Sequence, residues 1–209
     1  FEYLHHVGWF IASATERYDL RFNYYILDTD RINAVSCPGG YIVFTRGLLE
    51  LLKDESELAA LLAHEMAHVI AGHGMLEAVE NKERIKADSA FEALGREVGT
   101  SDIEADLIGI TNRAMSIARS PKLDTYEYEA DELALLYMVR CVYDPGGLTR
   151  LLNTMQSVHA RTTDIFDLTY RNHPDVSERV KRIQPQQGAS RNFTAIRFDD
   201  AFRTKLILT

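Results

Sequence analysis

The sequence predicts an α+β fold, mainly helical, with a small β-sheet set beside one central helix. Three observations carry this. Most of the chain repeats its apolar residues at helical spacing, and residues 21–45 instead carry aromatic and branched residues broken by turn signals. The third is that no apolar run approaches the roughly 18 residues of a membrane span. At 209 residues the chain reads as one domain, 1–209, with a core over about 1–183 and a linker and tail over 184–209. The apolar fraction of 46% is ordinary for a globular protein. A net charge of −8 argues against nucleic acid as a partner, because phosphate binding wants a basic face.

In chain order, residues 3–14 place Tyr3, Leu4, Val7, Phe10, Ile11 and Ala14 on one helical face. His5 and His6 within it read as surface residues. Arg21–Leu27 reads as a strand closed by Asp28-Thr29-Asp30. Ile32–Val35 and Tyr41–Thr45 read as two short strands around the breaker Pro38-Gly39-Gly40, and Leu48–Leu52 as a helical turn. Asp54 caps a helix over Glu55–Ala71, with Glu57 in capping-box register. Leu58, Leu61, Leu62, Val69 and Ile70 form its apolar stripe. From Met75 to Ala118 the pattern is helical but heavily charged, and Pro121 ends it. Helices over 124–140 and 148–159 flank the turn Asp144-Pro145-Gly146-Gly147. His173-Pro174 opens a last short helix to Ile183, residues 184–188 are a linker, and the tail returns as a loose strand.

The chemistry sits in the helix over 55–71. His64 and His68 are one turn apart on one face, and neutral imidazole is a good zinc ligand. Glu65 lies about 100° round the helix from His64, placed to reach a water at the metal rather than the metal itself. Such an HExxH pattern arises by chance often enough to need partners. His73, five residues past His68 and about 140° round, does not point at the same metal and reads as structural.

Catalytic zinc keeps three protein ligands and one open position. Two acidic clusters compete for the third place, Asp102–Asp106 and Glu127–Asp131, each with carboxylates at i and i+4. In the second, Glu127 suits the metal, Asp131 suits a histidine's second nitrogen, and Glu129 points roughly the other way. Local chemistry does not separate the clusters.

HExxH followed by a helical ExxAD resembles the zinc metallopeptidase family of the CAAX prenyl proteases, HtpX and BepA. Asn33-Ala34 with Pro38-Gly39-Gly40-Tyr41-Ile42-Val43 and Gly47-Leu48-Leu49 resembles that family's substrate-edge strand and the turn after it. Tyr143-Asp144-Pro145 follows Asp131 at the family's distance, and His173-Pro174 with Arg179 is similar to its late HP…ER element. The resemblance covers residues 1–183 and implies a zincin-like fold with one Zn2+ per chain on His64, His68 and Glu127. It implies Asp131 behind a ligand histidine, Glu65 as general base, and the Glu104 cluster as a lookalike. His173 is implied to face the metal, as a transition-state donor or a latency-holding ligand, with Arg179 orienting it or a substrate carbonyl. Gly40, Tyr41, Ile42 and Val43 are implied to pair with an extended substrate.

The departures from the family are the missing transmembrane helices, which points to the BepA-like branch, Cys37 in an aliphatic place, and the polar segment 75–120. The implied activity is hydrolysis of peptide bonds in unfolded or misassembled proteins of a bacterial envelope or periplasm. Membrane association is expected only through a leader removed before Phe1. The rival is a zinc-stabilised binding or chaperone-like module with little turnover. The intact Glu65 argues against it, because structural zinc needs no base. Cys37 and Cys141 cannot build a sulfur-ligated zinc site, and their spacing leaves both free thiols and a long-range disulfide open.

Overall fold

A computed structural model describes residues 2–76, 121–159 and 175–187. Its elements are α1 (Glu2–Ser13), β1 (Asn23–Leu27), β2 (Ala34–Cys37), β3 (Tyr41–Thr45), α2 (Arg46–Leu51), α3 (Glu55–Ala71), α4 (Pro121–Arg140), α5 (Gly146–His159) and α6 (Val176–Gln187). The α+β expectation holds, and the strand over 41–45 and the helix over 55–71 fall where the sequence places them.

The sheet has the order β1-β3-β2. β2 and β3 form an antiparallel hairpin, and β1 runs parallel to β3 on its other side. Gly39 and Gly40 make the hairpin turn at φ of +91° and +88°, a region that a side chain disfavours. The inner face of the sheet contributes Tyr24, Ile42 and Phe44 to the core; Leu4, Val7 and Ile11 of α1 join them. Phe10, expected on α1's inner face, is 44% exposed.

α3 is the centre of the molecule. α1, β2, α4 and α5 all pack on it, and α6 closes over α4 and α5. Every residue from Ser56 to Ala67 is buried, so the helix is enclosed on all sides rather than along one stripe. Val69 and Ile70, expected inside, are only half-buried where the helix emerges. The Asp54 side chain accepts from Glu57 N at 2.9 Å, a cap that contributes about 1 kcal/mol. Glu57 reaches back to Lys53 N at 2.8 Å, one residue before the cap itself. Gly72, at φ of +73°, ends the helix with its N–H directed at His68 O and Val69 O.

Arg150 of α5 clamps this helix start, bonding Asp54 Oδ2 at 3.0 Å and Asp144 Oδ2 at 2.8 Å. The clamp needs close approach: a Cβ on Gly147 would lie 2.4 Å from Ser56 O. Pro121 opens α4, three residues before the expected start, since a first-turn proline loses no helical bond. The linker expected from residue 184 is helical to Gln187, with Pro185 inside the last turns of α6. Cys37 is exposed and Cys141 buried, both free thiols. Among the described residues no helix is long and apolar enough to cross a membrane. The tail strand, the segment 77–120 with its Glu104 cluster, and His173 lie outside the described residues.

Candidate metal centre

α3 and α4 lie against each other and bring three ligand side chains together. His64 Nε2 and His68 Nε2 are 3.2 Å apart. Glu127 of α4 places Oε2 3.4 Å from His64 Nε2 and Oε1 3.2 Å from His68 Nε2. Three donor atoms, one from each residue, thus converge on a point where a metal ion could sit. The i, i+4 spacing on a rigid, enclosed helix aims the two imidazoles, and the facing turn of α4 supplies the carboxylate.

Behind these atoms a second row holds them. Asp131, one turn past Glu127, sets Oδ1 3.1 Å from His64 Nδ1. Arg179 of α6 grips both oxygens of Asp131, donating from Nε at 2.7 Å and Nη2 at 2.6 Å. Its Nη1 lies 3.1 Å from Glu127 Oε2. The substrate-contact reading of Arg179 therefore gives way to another. The guanidinium is buried and turned inward, and it ties α6 to both carboxylates of α4.

Electrostatics follow from this packing. Burial disfavours the charged form of His64, yet the Asp131 and Glu127 carboxylates outweigh it and push its pKa up to about 10. Burial pushes Asp131 up as well, but the Arg179 charge and hydrogen bonds hold it below the usual carboxylate range. A cation is what this spot favours. Glu65 is buried beside the triad, and among the described residues no hydrogen bond or ion pair engages its carboxylate.

His73 is the residue that spacing undervalued. Its ring is buried, stacks on Tyr126 with centroids 4.5 Å apart, and sets Nδ1 3.0 Å from His68 Nδ1. Burial, then the neighbouring His68, lower its pKa. The wheel angle of 140° correctly keeps it off the metal face. It says nothing beyond Ala71, because Gly72 turns the chain and folds His73 in behind His68. That glycine was the available signal.

The substrate strand needs correction. Gly40, Tyr41, Ile42 and Val43 belong to the turn and middle strand, and β3 is paired with β1 on one side and β2 on the other. It has no free main-chain edge. Asn33 N–H donates to Thr45 Oγ1 and Thr45 N–H to Asn33 O, so by antiparallel alternation Ala34 and Ser36 direct their main-chain groups away from β3. Among the described residues β1 and β2 are the two edge strands, and β2 is the one packed on α3, the helix that carries the histidines.

The model of peptidase family M48 matches residues 1–187. The chain is 27% identical over 186 residues to the beta-barrel assembly-enhancing protease of Yersinia pestis, covering 81% of this chain and 36% of that protein. It is 27% identical over 171 residues to the mitochondrial metalloendopeptidase OMA1 of Schizosaccharomyces pombe, covering 79% and 47%. To the metalloprotease LoiP of Escherichia coli strain K12 it is 28% identical over 172 residues, covering 80% and 63%. The chain thus spans about a third to two thirds of the length of these relatives. The matched span includes both histidines of α3, the carboxylates of α4 and the arginine of α6, and this chain belongs to peptidase family M48.

Proposed function

We propose that the chain is a zinc metalloendopeptidase that cleaves unfolded or misassembled proteins of the cell envelope, acting as one domain with one zinc on His64, His68 and Glu127. The observation that carries this is a triangle of two imidazole nitrogens and a carboxylate beside Glu65, a buried carboxylate with no partner among the described residues. Metal–ligand distances of about 2.0–2.2 Å put neighbouring donors of a zinc tetrahedron roughly 3.3–3.6 Å apart. The two imidazole nitrogens, 3.2 Å apart, lie close to that edge, and Glu127 turns one carboxylate oxygen to each of them, at 3.4 and 3.2 Å. The names of the relatives, protease and metalloendopeptidase, support the same class.

Bound zinc supplies a Lewis acid that polarises a carbonyl and acidifies a water. Every other role falls to side chains. Glu65 takes the proton from the attacking water and returns it to the leaving amine as the peptide C–N bond breaks. A carboxylate already bonded to Arg or Lys would be a poor base, and Glu65 has no such partner among the described residues. Asp131 holds His64 by Nδ1, so that Nε2 faces the metal, and Arg179 fixes Asp131. An extended substrate pairs with the edge of β2 at Ala34 and Ser36 rather than with β3. His173, which lies outside the described residues, keeps in this reading the role that the family resemblance implies, a transition-state donor.

The test is cleavage of an unfolded protein such as reduced casein by the purified chain. Activity should vanish with a chelator and return with one equivalent of zinc. Glu65→Gln should stay folded and bind zinc yet not cleave. A chaperone-like module would bind the casein and leave it intact in the wild type as well, which would overturn the proposal.

A further inference from the structure

Each histidine of α3 turns one ring nitrogen to the metal triangle and the other away. His64 Nδ1 meets a carboxylate, and His68 Nδ1 meets another imidazole, His73 Nδ1, at 3.0 Å. The far nitrogen of that ring, His73 Nε2, lies 3.4 Å from Glu129 Oε2. Glu129 points away from the triangle, as its spacing from Glu127 requires, and meets His73 on the outer side.

Two neutral rings joined nitrogen to nitrogen share one proton, so the pair has two arrangements. In one, His73 Nδ1 donates. His68 then carries its proton on Nε2, the nitrogen 3.2 Å from Glu127, and has no lone pair there for a metal. His73 Nε2 would also turn a lone pair toward a carboxylate, acceptor against acceptor. In the other, His68 Nδ1 donates to His73, leaving Nε2 of His68 free for a metal. His73 then carries its own proton on Nε2, where Glu129 accepts it. An ionised carboxylate can only accept, so Glu129 selects the second arrangement for the whole row.

We infer that His73, polarised by Glu129 and seated on Tyr126, is a positioning residue that fixes His68 in its Nδ1-protonated tautomer and aims Nε2 at the metal. This rests on reading His68 as a metal ligand. It gives the two ligand histidines separate supports of different chemistry.

The test uses the full zinc-loaded chain, with zinc affinity from chelator competition and ring tautomers from long-range proton–nitrogen spectra. His73→Phe keeps a ring on Tyr126 and removes the acceptor; zinc affinity should fall 10- to 100-fold. His73→Gln returns a carbonyl acceptor and should recover most of that loss. Glu129→Ala, at a side chain that is 54% exposed, leaves the fold intact and should lower affinity several-fold while His73 loses its Nε2 proton preference. In the wild type the spectra should place protons on His68 Nδ1 and His73 Nε2. Equal zinc affinity in His73→Phe and His73→Gln, or a wild-type proton on His73 Nδ1, would overturn the inference and leave the metal site standing. Undiminished affinity in His68→Ala would overturn the metal-site reading and this inference with it.

Discussion

His64 and His68 stand one turn apart on the same helix, and their backs are supported in opposite ways. Behind His64 the support is ionic and dry: Asp131 is 1% exposed, and Arg179 holds it through two nitrogens. Behind His68 the support is a ring followed by a carboxylate half in water. Removing one member of a buried ion pair strands its partner, which costs far more than the pair ever contributed. Removing His73, a buried but neutral ring, strands nothing charged, because the carboxylate beyond it is already half in water. The site therefore joins a support inseparable from the fold to one that serves the metal alone.

The largest expected effect leaves both supports intact. Glu65→Gln should lower the rate of protein cleavage by about 10²–10⁴, with zinc content and melting temperature unchanged. A parallel loss of zinc would place Glu65 among the supports instead. Next is Arg179→Met, which leaves Asp131 and Glu127 buried without their cation. Denaturant unfolding of the zinc-loaded chain should show a loss of roughly 3–5 kcal/mol. A loss under about 1 kcal/mol would mean the ionic side is not integral to the fold, and the contrast would fail. His73→Phe, measured by the same unfolding, should cost about 1.4–2.7 kcal/mol, the share of zinc binding that a 10- to 100-fold weaker affinity removes. A cost matching Arg179→Met would erase the distinction. The smallest effect belongs to Tyr126→Leu, which removes the stacked face under His73. It should cost about 0.5–1.5 kcal/mol and weaken zinc only slightly. A zinc loss as large as that of His73→Phe would make the stack, not the acceptor, the working part of the support.

Much of this architecture is legible in one dimension because its causes are local. Asp54 and Gly72 bracket α3 by chemistry that acts within a turn, and the His64–His68 spacing follows from helical pitch alone. What the sequence does not carry is which strand lies in the middle. β3 looks like an edge in isolation; only the parallel pairing of β1, a contact across the chain, encloses it. The inward role of Arg179 is hidden from the sequence for a related reason. An arginine beside a site suggests a substrate contact, and only packing of α6 on α4 shows its charge used inside. His73 fell just past a helix end, where the wheel geometry no longer applies. Val142, at φ of +59° after α4, has no sequence signal either: a β-branched residue is the last choice for that conformation.

The enclosure of α3 has a consequence for how freely this segment can vary. An ordinary surface helix tolerates change on every third or fourth residue, and a map of substitution tolerance along it pulses with the helical period. From Ser56 to Ala67 there is no outward face, so the map should be flat and low, with even the small residues Ala59, Ala60 and Ala63 rejecting larger side chains. The rhythm should return only at Val69 and Ile70, where the helix comes back to the surface.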